Sequence, residues 1–133
     1  PMLHEKHIKT FQNLSNPVNV LTTHSSWLMS SLVMGANGLL SGAGSIMADF
    51  QVALFKAVQN KDLTLAQAIN DKIFPLAQAF YSPPFLDMHN RMKEALVLLG
   101  KLEKAVVRPP LMKLSSEEIQ NIKSALIKSK MLN

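Results

Sequence analysis

From Thr10 to Ala48 the chain carries no Asp, Glu, Lys or Arg. So long an uncharged run is a poor solvated surface, and it expects to be covered by protein or by lipid. A membrane span needs about 20 predominantly apolar residues without polar interruption. This run is punctuated by Asn13, Asn16, Pro17, Asn19, Thr22, Thr23, His24 and several serines, so no membrane span is expected. Buried sheet or barrel core is the better reading. Four of the five glycines fall near the end of the run, in Gly35–Ser45 (GANGLLSGAGS). Glycine serves where backbone takes positive φ or comes close to another group. Such positions around Leu39 and Leu40 predict a buried strand ending in a tight, accessible turn that opens a helix at Ser45. A strand C-terminus feeding a helix N-terminus is a common ligand position in α/β proteins.

Periodicity sets the elements on either side. Leu3, His7, Ile8, Phe11 and Leu14 recur at spacings of three and four, which predicts a helix over 3–14. Ser15-Asn16-Pro17 stops it. Val18–Thr22 reads as a short buried strand. Ser25 or Ser26 caps a helix over 27–34, and Gly35 closes that helix in the C′ position. Residues 38–41 form the second strand. Strands without charge on either face, alternating with helices, imply a parallel sheet covered on both sides. Two strands cannot complete such a sheet, so the chain is not expected to be self-contained.

The rest reads as helix. Ile46, Phe50, Ala53, Leu54 and Ala57 make one stripe that Asn60 ends. Residues 65–81 make another, with Pro75 expected to kink or locally break it. Ser82-Pro83 reads as a helix start, Ser as N-cap and Pro at N1, with Gly100 as the stop. Residues 101–114, with Arg108-Pro109-Pro110, are expected to be extended. Ser115-Ser116-Glu117-Glu118 reads as a capping box for a last helix whose apolar side includes Ile119, Ile122, Leu126 and Leu132.

The chemistry legible in these residues is sparse. There is no Cys, hence no disulfide and no thiolate metal site. The net charge is +5, but the lysines are dispersed and only two Arg occur, without interleaved aromatics. That pattern argues for solvated helix faces and against a nucleic-acid partner. No secretory leader is expected at the start. His4 and His7 share a face with Glu5, but no further ligands support a metal site. The glycine stretch matches neither a P-loop nor GxGxxG. No Ser/His/Asp set is legible, and no lysine lies in the uncharged run. His24, in Thr22-Thr23-His24-Ser25-Ser26, keeps two readings: a satisfied His beside helix-capping serines, or part of a polar rim that binds substrate. The residues supply a site wall without a catalytic group.

Val18–Thr23 and Gly35–Gly42 resemble strands seven and eight of the dihydrodipicolinate synthase / N-acetylneuraminate lyase family. Ala68-Ile69-Asn70, Phe74-Pro75-Leu76, Met92–Leu96 and Val107–Leu111 resemble its C-terminal helices. The resemblance covers essentially the whole chain. It implies an α/β fold: the C-terminal portion of a (β/α)8 TIM barrel, strands seven and eight with their helices, plus a C-terminal helical extension. Residues 1–58 would be the last barrel units and 59–133 the extension. Family members are usually tetrameric, cytoplasmic and independent of metal or other cofactor. They form a Schiff base between a strand-six lysine and pyruvate or another 2-oxo acid, for aldol cleavage, condensation or dehydration.

The same resemblance implies that the Schiff-base lysine and the catalytic tyrosine precede residue 1. This chain would then be an inactive part of a larger lyase, by cleavage, truncation or a split barrel, and the missing N-terminal part would be its partner. Leu40 matches a strand-eight residue whose backbone lies beside the 2-oxo acid, and Ser41 and Gly42 extend that wall. Thr23 stands where the family has a glycine at the pocket mouth. His24, Ser25 and Ser26 occupy positions that bind the distal part of the substrate, here without carboxylates. Gly42 replaces a serine that binds sugar acids in the lyases. The Arg-Pro-Pro and Met-His-Asn-Arg pieces look more like relatives acting on deoxy-oxo sugar acids. The alternative is a self-standing helical interaction module without catalysis.

Overall fold

The uncharged run folds into two short parallel strands, each leading into a helix. The computed structural model describes residues 2–133, with side chains from Leu3 onward. In order they form α1 (Met2–Gln12), β1 (Leu21–Thr22), a 3-10 turn (Ser25–Trp27), α2 (Leu28–Val33), β2 (Gly38–Leu39), α3 (Gly44–Gln59), α4 (Leu63–Phe80), a second 3-10 turn (Phe85–Asp87), α5 (Met88–Leu98) and α6 (Ser116–Lys128). The protein is helix-rich with a small parallel sheet. Contacts group it into two units. The first runs to Gly44 and resumes over Ala48–Asn70. The second comprises Ser45–Met47 and Asp71–Asn133.

In the first unit, β1 pairs with β2 in parallel, Leu21 opposite Gly38 and Thr22 opposite Leu39. Both strands are shorter than their sequence patterns. The residues before them are engaged otherwise: Val18 N–H donates to the Phe11 carbonyl at 3.3 Å. Val20 N–H donates to Asn37 Oδ1 at 2.8 Å, and Asn37 N–H returns a bond to the Val20 carbonyl, also at 2.8 Å. Gln12 Nε2 ties this corner down through the Gly35 carbonyl at 2.6 Å and Asn37 Oδ1 at 3.0 Å. Ile8, Leu28, Leu32, Ala36, Leu54, Ala57 and Ala66 are buried in this unit.

This corner divides the glycine stretch in two. Gly35 has φ +104° and sits at C′ of α2. Its N–H reaches the Leu32 carbonyl while Ala36 N–H reaches that of Ser31, a Schellman closure. At Gly38 a Cβ would stand 3.1 Å from Leu21 Cδ2, so a larger residue there would require the Leu21 side chain to shift. These two glycines serve the N-terminal ends of the strands. Only Leu40–Gly44 lies at the C-terminal ends.

The start of α2 departs from expectation. Neither Ser25 nor Ser26 supplies the cap. His24 takes the N-cap position of the 3-10 turn, its Nδ1 accepting from Ser26 N–H at 3.3 Å. Asp62 caps α4, accepting from Leu65 N–H at 2.9 Å. α4 runs unbroken through Pro75. α3 holds non-helical dihedrals at Met47.

In the second unit α5 packs on α6. Ser82-Pro83 does not start a helix. Pro83 precedes Pro84, and a residue before proline is pushed out of the α region. Ser82 Oγ instead donates back to the Ala79 carbonyl at 3.2 Å. α5 therefore begins only after the 3-10 turn. Residues 101–114 hold neither helix nor strand. The α6 cap forms in half. Ser115 Oγ accepts from Glu118 N–H at 3.1 Å, but the Glu118 carboxylate turns to Arg91, 3.1 Å away, rather than to the Ser115 backbone. α6 ends at Lys128, leaving Leu132 beyond it.

Arg91 organises this unit. It is 3% exposed. Its guanidinium donates to the carbonyls of Ser82 (2.6 Å), Pro84 (3.2 Å), Phe80 and Pro83 (both 3.4 Å) and to Glu118. The planar fork of arginine serves several acceptors at once, which lysine does not. Asn90, also buried, donates to Asp87 Oδ1 at 3.1 Å and to the Met112 carbonyl at 2.8 Å.

Candidate functional site

The C-terminal ends of β1 and β2 emerge side by side because the strands are parallel and in register. Residues 23–26 follow β1 and residues 40–42 follow β2. Leu40 N–H donates to the Thr22 carbonyl at 2.8 Å and carries the pairing one step past the strands. The structure joins the two ends through side chains: Ser25 Oγ and Ser41 Oγ lie 3.3 Å apart. Ser25 is 2% exposed, whereas Leu40 is 71% exposed. Thr23, Ser26 and Gly42 are exposed, and His24 and Ser41 are half-buried.

Beside β1 lies an open concavity of about 590 Å³, whose lining includes His4, Thr22, Thr23, His24, Trp27 and Ser30. No carboxylate and no lysine lines it. Burial holds the His24 imidazole below its ordinary pKa, because desolvation disfavours the charged form. The neutral ring keeps Nδ1 available as the acceptor of the Ser26 N–H. The His24 and Trp27 rings meet edge-on at 6.5 Å.

Three participants escaped the sequence reading. His4 Nε2 and Ser31 Oγ share a hydrogen bond of 2.7 Å, and Ser31 Oγ accepts from Thr22 Oγ1 at 3.0 Å. This chain of polar groups links α1, α2 and the end of β1. Gln51 Nε2 donates to Ser41 Oγ at 3.1 Å from α3. The one sequence signal for Gln51 is a polar residue spaced four after Met47 and three before Leu54, on a buried face. His4 and His7 do not act together: His7 is exposed and faces the Phe11 ring at 6.5 Å. Among the described residues no group of three or more His, Cys, Asp or Glu comes together, and no helix is long and apolar enough to cross a membrane.

The second unit has a groove of about 640 Å³ walled by α4 and α6, with Arg91 and Glu118 in its lining. Carbonyls and Glu118 already occupy the Arg91 donors. The strand ends, with accessible hydroxyls, are the better candidate for binding chemistry.

A sequence profile described as "Dihydrodipicolinate synthetase family" matches residues 3–129. The chain belongs to the dihydrodipicolinate synthetase family. Among relatives, it is 30% identical over 97 residues to the 4-hydroxy-tetrahydrodipicolinate synthase of Sulfurimonas denitrificans, covering 71% of this chain and 31% of that protein. It is 27% identical over 120 residues to YagE of Escherichia coli K12, provisionally named a 2-dehydro-3-deoxy-D-gluconate aldolase, covering 90% of this chain and 39% of YagE. The crystal structure of YagE in complex with pyruvate superposes with a TM-score of 0.82 at 24% identity, over 96% of this chain and 42% of YagE. The sialic acid aldolase of Ruminococcus gnavus superposes with a TM-score of 0.79 at 21% identity, over 96% of this chain and 42% of that one. At these identities the structural matches establish a shared fold. The chain spans about a third of the length of its curated relatives in the family.

Proposed function

We propose that this chain supplies strands seven and eight of a (β/α)8 barrel lyase of the family. In this reading residues 1–58 form the last barrel units and residues 59–133 the helical extension. The substrate is pyruvate or a related 2-oxo acid of the deoxy-sugar type, processed through a lysine Schiff base. The lysine lies in sequence preceding residue 1, so the chain alone is inactive. Thr23, His24, Ser25 and Ser26 form the rim for the distal part of the substrate, and Leu40, Ser41 and Gly42 the wall beside the 2-oxo acid.

The observation that carries this reading is the meeting of the two parallel strand ends, with Ser25 and Ser41 3.3 Å apart. Barrel lyases assemble their sites at strand C-termini from several strands. Two strand ends with hydroxyls and no lysine are a wall that needs a nucleophile from elsewhere. The absence of carboxylates from the concavity beside His24 argues against a substrate recognised through acidic side chains at that place.

Borohydride reduction in the presence of pyruvate tests it. The isolated 133-residue chain is expected to gain no covalent adduct by mass spectrometry. The longer protein, with the upstream sequence, is expected to gain one on an upstream lysine. An adduct on any lysine of this chain would overturn the location of the nucleophile.

A further inference from the structure

Gln51 stands where an apolar residue is expected. Leu54, three residues on along the same face of α3, is 0% exposed, and Gln51 itself is 6% exposed. A buried amide costs free energy unless it is hydrogen-bonded. Here Nε2 donates to Ser41 Oγ at 3.1 Å. The other end of the amide rests over Gly44, where a Cβ would stand 3.1 Å from Oε1. Gly44 leaves the room that this orientation of Gln51 needs.

A serine hydroxyl has one proton and two lone pairs. With one lone pair engaged by Gln51, the Ser41 proton is directed elsewhere. Ser25 Oγ lies 3.3 Å away, well past the usual O–H···O distance of about 2.7–2.8 Å. That weak contact is easily exchanged for a stronger, charge-assisted bond to a ligand oxygen. We propose that Gln51 is a positioning residue, holding the Ser41 hydroxyl at the end of β2 with its proton free to donate to a carboxylate or carbonyl oxygen of the bound 2-oxo acid. The role rests on the lyase reading above and involves no proton transfer.

The test uses the intact enzyme, with KM and kcat read separately for Gln51→Met, Gln51→Glu, Ser41→Ala and the Ser41→Ala/Gln51→Met pair. Thermal midpoints and borohydride trapping with pyruvate are measured on the same preparations. Met keeps volume and loses the amide. Glu as a carboxylate can only accept, so it keeps a bond to Ser41 but reverses its sense. Gln51→Met is expected to raise KM about five- to tenfold with kcat within about twofold of the unaltered enzyme. Gln51→Glu is expected to raise KM further and to lower the thermal midpoint, because its carboxylate is buried. Adding Gln51→Met to Ser41→Ala is expected to change KM by less than about twofold, since both act through one hydroxyl. If Gln51→Glu fails to fold, Gln51→Met and the double variant decide. An unmoved KM in Gln51→Met, or a full Gln51→Met effect on the Ser41→Ala background, overturns the positioning role alone. An unaltered enzyme that borohydride and pyruvate do not trap overturns the lyase reading, and the positioning role with it.

Discussion

Single residues carry much of this structure, and Arg91 carries the most. Its guanidinium collects four carbonyls from Phe80, Ser82, Pro83 and Pro84, together with the Glu118 carboxylate. Replacing it strands buried acceptors instead of merely deleting one contact. Arg91→Leu is expected to lower stability by about 3 kcal/mol or more in urea unfolding. Glu118→Gln is expected to cost only about 1 kcal/mol, because the side chain is partly exposed and its amide oxygen still accepts. Equal losses would mean that the ion pair, and not the carbonyl cluster, is what Arg91 provides. In the sequence Arg91 is one of two arginines, and its nearby acidic residues, Asp87 and Glu94, are not the carboxylate it pairs with. Nothing local announces a residue whose partners lie as far off as Glu118.

At the scale of elements, four helices end in the same way. α2, α3, α5 and α6 each close with a residue of positive φ at C′: Gly35, Lys61, Gly100 and Lys130. The glycines take that conformation without cost, whereas a lysine at φ 59° is strained by its Cβ. Lys61→Gly is expected to stabilise by about 1 kcal/mol in thermal unfolding. Gly100→Ala is expected to destabilise by about as much, although its Cβ would meet nothing within 4 Å. A neutral Gly100→Ala would show that this turn relaxes instead of holding φ 69°. The two glycine endings are legible in the sequence because glycine advertises the turn, and Asn60 marks the end of α3 one residue before Lys61. The α5 start was not legible. Ser82-Pro83 has the residues of an N-terminus, but the second proline vetoes it, and α4 claims the Ser82 hydroxyl.

For the whole molecule, the apolar side chains left outside define what the chain needs. Leu3 and Phe11 lie along α1 and Leu14 just beyond it, Val33 ends α2, and Trp27 and Leu40 follow the strands, all of them exposed. Exposed apolar surface of this extent marks a face that associates. The isolated chain is expected to sediment as concentration-dependent assemblies and to melt without a sharp transition. A monodisperse monomer with one cooperative transition would favour a self-standing module instead. The parallel pairing was legible because uncharged strands alternating with helices leave few other arrangements, and the family was legible through the resemblance carried by Val18–Thr23 and Gly35–Gly42. The polar groups behind the strand ends were not. His4, Ser31 and Gln51 reach that place from three helices, and only the fold brings them to Thr22 and Ser41. A polar side chain facing inward looks, in one dimension, like any other.

The Asn37 corner also makes the protein a clock. Asn37 precedes Gly38, and an Asn-Gly pair loses its amide spontaneously once the glycine nitrogen can swing onto the side-chain carbonyl. Here that carbonyl oxygen is held by Val20 N–H and Gln12 Nε2, and Gly38 is fixed in a strand. Chemical ageing at this site therefore waits for the corner to open, and deamidation of stored protein tracks how often the strands part at their base.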